Sequence, residues 1–537
     1  MKTLLKNGLI VDGTGVKAYP ADLLIEGERI AAIGLLDGLE ADEVIDITGK
    51  CIAPGFIDAH SHNDWFAPRP DNRRFFAPFV QQGITTQVTG NCGFSPFGFE
   101  NYTPHKALLG SGLFSMEEME KGDFLRLSGF FEYVKRLPVN IVPLYGHMSG
   151  RISISGYENR ALTEAELTRL DSIMEQALLD GAAGVSLGLM YEPDRYAPYD
   201  ELKRAAQIVA RHGKILSVHA RACSAASTSY QPPVGGRAHN LRALDEMIKI
   251  ARETGAKVQF SHLIFVGSRT WRTADEALEM IHKVNREGLE FMYDSYAMTC
   301  GASVITVILP PWYLSLSPEM RRSPMARVRI ALEIGVTKRI LGFDFDDIVM
   351  AWVADDQEAL CGKSVRQIAR EWRMSDLDAY LKLVELSGGK GRVLMHKYLT
   401  DGILARLMDD PNCLCMTDAW LEEKGTQNPA CFSCFPEFLR LSRERNMLEK
   451  TVRQMTGATA DRFHIPERGY LKEGYFADMT VFDPQQIRPS ETPEGRPHGI
   501  EQVYVAGQPV LKNGDLVKDA CGRMLLQNPS QKTSSFL

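Results

Sequence analysis

Long apolar runs are missing from this chain. No stretch approaches the roughly 18–20 residues that a helical membrane span requires, so a membrane is not an expected partner. An excess of positive charge is missing too. The 61 Lys and Arg are outnumbered by 68 Asp and Glu, for a net charge of −7, and that balance argues against nucleic acid or an anionic lipid surface as the main partner. Cysteine is sparse: ten in 537 residues cannot build a disulfide framework, and reduced thiols in a cytoplasmic protein are expected. Cys431 and Cys434 form a CxxC, but Cys413 and Cys415 upstream stand too close together to complete a structural zinc knuckle. Buried thiols are the expectation there. The opening MKTLLKNGLIVDGTG breaks its apolar stretch at Lys6, Asn7 and Gly8, which makes a poor signal peptide.

What is present is β texture at both ends and a β/α alternation between them. Residues 1–55 and 465–520 carry short apolar runs punctuated by Gly and Asp, as in hairpins. They are expected to join as one composite β-sandwich domain. Eight short apolar, β-branched runs follow in the middle, CIAPGFIDAHSH, TTQVTGNCG, NIVPLYGHMSG, GVSLGLMYEP, KILSVHARA, KVQFSHLIF, LEFMYDSYA and NCLCMTDAW. Amphipathic stretches such as TEAELTRLDSIMEQALLDG separate most of them. Eight β-then-α units predict an α/β protein of the (β/α)8 TIM-barrel class over 56–464, with its active site at the C-terminal ends of the strands. The seventh and eighth runs lie roughly a hundred residues apart, far beyond ordinary loop lengths. A helical subdomain inserted at about 300–411 is expected, placed as a lid over the barrel mouth.

Metal-capable side chains recur at the ends of these runs. The first ends in His60 and His62, the second in Cys92, the fifth in His219, the sixth in His262 and the eighth in Asp418. Any one of them alone has an ordinary role, since a lone Cys is usually a small buried hydrophobe and a lone Asp a helix cap. With only twelve histidines in the chain, their joint placement at one rim of a barrel points to a metal site. Imidazoles with one thiolate select zinc. Zinc in an open site polarises a carbonyl and acidifies water, and a carboxylate at Asp418 could carry the proton to a leaving amine. The implied chemistry is hydrolysis of a C–N bond in a small-molecule substrate. His147, at the end of the third run, is read as a packing or supporting group.

PGFIDAHSH, the late TDAW and GYLKEGYFADMTVFD resemble the amidohydrolase superfamily. GITTQVTGNCGFS, GLMYEP and GAKVQFSHL are more specific and resemble the N-acyl-D-amino-acid deacylases, or D-aminoacylases. The likeness spans nearly the whole chain. It implies that Cys92, His219 and His262 hold one tight zinc, that His60 and His62 line a second, weaker position, and that Asp418 is the catalytic acid–base. It also implies substrate contacts from Tyr191 and Tyr296. Two cations of the family pattern are absent. Ile264 stands where a lysine is usual, and NPACFSCF where an HPR segment is usual. Arg221, two residues beyond His219, is the candidate substrate anchor in their place, with an ion pair inside the scaffold as its plainer role.

Two rival readings remain at this level. Cyclic amide hydrolases of the hydantoinase or dihydropyrimidinase kind bridge two metals with a modified lysine at the fourth strand, and GVSLGLMYEPDRYAP has no lysine. A non-catalytic scaffold derived from an amidohydrolase would tend to lose ligands, and every expected ligand is here.

Overall fold

Eight short parallel strands close into a ring at the centre of the computed structural model, which describes residues 1–101, 103–105, 108–109, 122–232, 235–518 and 521–527. In chain order they are Phe56–Asp58, Ile84–Thr89, Asn140–Pro143 (continued by Tyr145–Gly146), Gly184–Gly188, Ile215–His219, Lys257–Phe260, Phe291–Ser295 and Cys413–Cys415. Each pairs in parallel with its sequence neighbours around the ring. The ring closes between the first and eighth strands, where Ala59 N donates to Cys415 O at 3.2 Å and Asp418 N to His60 O at 3.0 Å.

These strands are buried along nearly their whole length, because side chains fill the ring on one face and helices cover the other. That two-sided burial is why their sequences read as apolar and small residues without polar alternation. The helices Glu164–Leu179, Tyr199–Arg211, His239–Thr254 and Ala274–Arg286 lie between successive strands. Each turns one apolar stripe inward; in Tyr199–Arg211 it is Leu202, Ala205, Ala206 and Val209.

Strands from both chain ends join in one hydrogen-bonded sheet of nine. Lys2–Ile10 pairs antiparallel with Tyr19–Glu26 and parallel with Cys51–Pro54, which in turn pairs with Met479–Phe482. This sheet has an apolar core separate from the barrel's, built on Leu5, Leu23, Ile25, Ile52, Met479 and Val481.

The long segment between the seventh and eighth strands differs from the helical insert the sequence predicts. It does hold helices, including Pro324–Leu341, Val365–Trp372 and Asp376–Leu386, but also a three-stranded antiparallel sheet in the order Gly301–Val304, Arg392–Met395, Ile348–Trp352. Several of its hydrogen bonds are with loops beyond the C-terminal ends of the barrel strands. Phe265 N donates to Tyr398 O, Arg269 N to Leu341 O and Thr426 N to Ala351 O, at 3.0, 3.2 and 2.9 Å. Among the described residues no helix is long and apolar enough to cross a membrane. All ten cysteines are unpaired as disulfides. Cys431 and Cys434 are buried and point their thiols at the carbonyls of Trp420 and Met416, 3.0 and 3.1 Å away.

Candidate metal centre

The end of the second strand shows how local sequence builds the centre. In TGNCG both glycines have left-handed backbones, Gly90 at φ +75° and Gly93 at φ +79°, and each is crowded: a Cβ on Gly90 would lie 2.0 Å from Leu144 O, and one on Gly93 2.8 Å from Gly188 N. No other residue fits there. Between them Asn91 donates to Val88 O at 3.0 Å and accepts from Ser217 Oγ at 3.0 Å, tying the turn to the fifth strand. Cys92 is thereby aimed across the ring.

Around its sulfur the expected ligands converge. Cys92 Sγ lies 3.3 Å from His60 Nε2, 3.4 Å from His219 Nδ1 and 3.8 Å from His262 Nε2. His219 Nδ1 and His262 Nε2 are 2.7 Å apart. Asp418 Oδ1 stands 3.3 Å from His60 Nε2 and 3.5 Å from His62 Nε2. Two overlapping donor sets result: Cys92, His219 and His262, and His60, His62, Cys92 and Asp418, in each of which the donor atoms lie within 4.8 Å of one another. A tetrahedral zinc with ordinary Zn–S and Zn–N bonds needs ligand–ligand edges of about 3.3–3.6 Å. One sulfur–imidazole edge of the first set, 3.4 Å, falls in that range, the other is slightly longer at 3.8 Å and the imidazole–imidazole edge is shorter at 2.7 Å, so soft and borderline donors are gathered close to what a metal requires.

Burial sets the electrostatics. It drives His62 down to about 4, with the Asp418 hydrogen bond opposing, and pushes the Cys92 thiol up to about 11. Burial would raise the Asp418 carboxyl, but the charge of His60, the hydrogen bond from His62 and the charge of His262 hold it well below the usual carboxylate range. His60 goes the other way: desolvation opposes its charge, yet Cys92 and Asp418 outweigh it and raise the imidazole. Asp418 is thus an ionised carboxylate, and His62 a neutral donor.

Two buried aspartates support the cluster. Asp294, on the seventh strand, accepts from His262 N at 2.6 Å and from Gln259 Nε2 at 2.8 Å, and lies 3.7 Å from His60 Nδ1. Sequence reasoning passed over it; an acid inside an otherwise apolar strand, FMYDS, is the signal that marks it. Asp58 accepts from Thr417 N and Oγ1 at 2.9 and 2.6 Å and from His60 N at 3.2 Å, pinning the loop that carries Asp418 to the first strand.

Of the predicted substrate contacts, the structure brings Tyr191 and Tyr296 to the rim. The Tyr191 ring centroid is 4.6 Å from that of His219, and Tyr296 is buried with its hydroxyl unbonded. Arg221 is a correction. Its guanidinium is committed to Glu246, with Nε 3.1 Å from Oε2, and to the carbonyls of Arg195 and Ala197 at 2.8 and 3.2 Å. A buried cation so fully engaged ties the fourth- and fifth-strand loops to a helix and leaves no fork for a substrate carboxylate. His147 is likewise no part of the cluster: its Nδ1 is 2.8 Å from Asp194 Oδ1.

Known proteins of similar sequence and fold point to one family. The amidohydrolase family model matches residues 51–510. The chain is 28% identical to a D-aminoacylase of Alcaligenes xylosoxydans xylosoxydans, over 97% of each chain. It is similar, at TM-score 0.79 and 26% identity over 98% of this chain and 99% of the other, to a solved D-aminoacylase described by a binuclear metal centre with one-metal activation and second-metal attenuation. An N-acyl-D-glutamate deacylase from Bordetella bronchiseptica, solved with zinc and a phosphonate mimic of the tetrahedral intermediate, matches at TM-score 0.78 and 27% identity over 98% of this chain and 99% of the other. A dihydropyrimidinase from Brevibacillus agri shares only the fold, at 15% identity and TM-score 0.56.

Proposed function

This chain belongs to the amidohydrolase family, and from that premise we propose that it is a zinc-dependent hydrolase that removes the acyl group from an N-acyl-D-amino acid or a related N-acyl compound. The observation that carries the reading is the convergence of the buried His60, His62, Cys92, His219 and His262 with the half-buried Asp418 at the C-terminal ends of the barrel strands. Cys92, His219 and His262 would hold the tight ion, and His60, His62 and Asp418, sharing Cys92, a weaker second position. Bound there, zinc supplies a Lewis acid for the carbonyl oxygen and for water. The rest falls to the chain's own groups. Asp418, kept ionised by its imidazole neighbours, takes the proton from the attacking water at a carboxylate oxygen and returns it to the departing nitrogen. Tyr191 and Tyr296 line the space where the acyl compound sits.

Residues 1–55 and 465–520 then form a composite β-sandwich domain, residues 56–464 the catalytic barrel, and about 300–411 a lid over its mouth, a reading supported by the hydrogen bonds of that segment to the sixth- and eighth-strand loops. Zinc content, measured alongside hydrolysis of a panel of N-acetyl-D- and N-acetyl-L-amino acids, N-acyl amides and hydantoins, tests the proposal. Amine release from acyclic compounds in step with zinc supports it. Turnover of hydantoins alone, or none with zinc bound, refutes it.

A further inference from the structure

One residue of the inserted segment reaches the rim of the metal centre. Tyr398 N donates to Thr299 O beyond the seventh strand, and Tyr398 O accepts from Phe265 N beyond the sixth, both at 3.0 Å. Its backbone is therefore held between the loop that carries Tyr296 and the loop that carries Ile264, and its side chain is buried. A Cβ on Gly301 would come within 2.6 Å of Tyr398 Cε2 and 3.1 Å of Tyr296 Oη, so the two phenols pack over the same glycine. The charge of Asp418 and the thiol of Cys223 act on Tyr191, Tyr296 and Tyr398 alike. Tyr296 and Tyr398 therefore meet at Gly301. Tyr296 Oη is buried there without a hydrogen-bond partner.

Cations on the neighbouring loops are spent elsewhere. Arg221 is paired with Glu246 at 3.1 Å, Arg392 with Glu422 at 2.7 Å and Lys397 with Asp347 at 2.7 Å. Ile264, beside Phe265, is buried and apolar. A carboxylate placed among these phenols would be desolvated with none of these three side-chain cations free to pair with it. An uncharged acceptor takes the same O–H donors without that penalty.

We propose that Tyr398 and Tyr296 form a two-phenol subsite for an uncharged hydrogen-bond acceptor beyond the scissile amide, so that the substrates are N-acyl amines capped by a neutral group such as a carboxamide. This rests on the deacylase reading above and narrows it.

A matched pair of compounds decides the matter: N-acetyl-D-methionine and its C-terminal carboxamide, with the released amine identified by mass spectrometry. The zinc-loaded protein is expected to deacetylate the carboxamide with a kcat/KM at least tenfold above that of the acid. Tyr398→Phe keeps the ring and its packing. It should raise KM for the carboxamide about tenfold, the worth of one hydrogen bond, with kcat and the acid's KM little changed. Arg392→Gln should alter neither ratio. Calorimetric binding of both compounds to Asp418→Asn separates this subsite from the reaction itself. Tighter binding of the carboxamide, lost in Asp418→Asn/Tyr398→Phe, upholds the subsite even where hydrolysis is absent, and the deacylase reading then falls alone. Preferred hydrolysis or binding of the acid, an unchanged carboxamide KM in Tyr398→Phe, loss of the preference in Arg392→Gln, or binding of neither compound would overturn the subsite.

Discussion

Three of the six clustered side chains hang from backbones that L-residues rarely adopt. Cys92, His262 and Asp418 have φ of +54°, +36° and +47°, each costing on the order of 1 kcal/mol or more. All three lie just past the end of a barrel strand, where the chain must turn and still point a side chain across the mouth. The identity of the ligands was legible in the sequence because His, Cys and Asp are conspicuous at the ends of apolar runs. Their conformations were not, since nothing in NCG, SHL or TDA announces a left-handed residue that is not glycine. The same limit explains Arg221: spacing placed it two residues past His219, while its partner Glu246 lies on a later helix. Asp418 carries the sharpest expectation at this scale. Asp418→Asn preserves size and can still accept from His62, yet an amide cannot take up the water's proton. A fall in kcat of about 10²–10⁴ is expected, with the tight zinc retained, read by steady-state kinetics and metal analysis on one preparation. A kcat within a factor of three of the parent would remove Asp418 from the proton path.

Among the elements, the fourth-strand loop that carries Tyr191 is held by a buried charged network. Asp194 accepts from Gly188 N at 3.0 Å and meets His147 at 2.8 Å, while Arg151 reaches Glu201 at 2.6 Å and Pro193 O at 3.2 Å. His147, Arg151, Asp194 and Glu201 are all buried, and removing one charge of such a set strands the others. Asp194→Ala is expected to cost about 3–5 kcal/mol, seen as a lower denaturation midpoint, and to raise KM through the loosened Tyr191. On the outer surface, Thr163 and Glu166 form a capping box at the start of Glu164–Leu179, and Arg160 grips Glu166 through Nη1 and Nη2 at 2.7 and 2.8 Å. The Arg160 hydrogen bonds, opposed by burial and helped by those from Thr163, hold Glu166 down to about 2. Its pKa is lower folded than unfolded, so its stabilisation is complete above the unfolded value near 4.5 and is lost as pH falls towards 2. Glu166→Gln should therefore lower stability at pH 7 by about 1 kcal/mol, small because water screens a surface pair, and the gap to the parent should close between pH 4.5 and 2. A gap that persists at pH 2 would assign the effect to packing. Eight barrel strands were legible because each is a short apolar run bounded by turns. The sheet within the insert was not, because Gly301–Val304 finds its partner in Arg392–Met395, a pairing across nearly the whole insert that no local pattern encodes.

At the scale of the whole molecule, the metal centre gathers side chains from the ends of several barrel strands, and that centre is an unusual thing to bury. Four imidazoles, a thiol and two carboxylates lie within a few ångströms inside the protein, a set that desolvation and like-charge neighbours disfavour in the absence of an ion: His219 is pushed well below its ordinary value by burial first and then by His262. An ion that binds only the folded arrangement adds RT ln(1 + [L]/Kd) to its stability, about 4 kcal/mol at a thousandfold excess over Kd. Zinc is accordingly expected to act as a stabilising ligand for the barrel as well as a reagent. Scanning calorimetry of chelator-treated protein, before and after one equivalent of zinc is restored, should show the midpoint rise by several degrees. The rise should vanish in Cys92→Ala, which removes the sulfur shared by both donor sets, and largely survive in His60→Ala, which leaves Cys92, His219 and His262 intact. Equal midpoints with and without zinc, or a rise abolished by His60→Ala and kept by Cys92→Ala, would mean that the tight ion sits on the other side of the cluster or does not sit there at all.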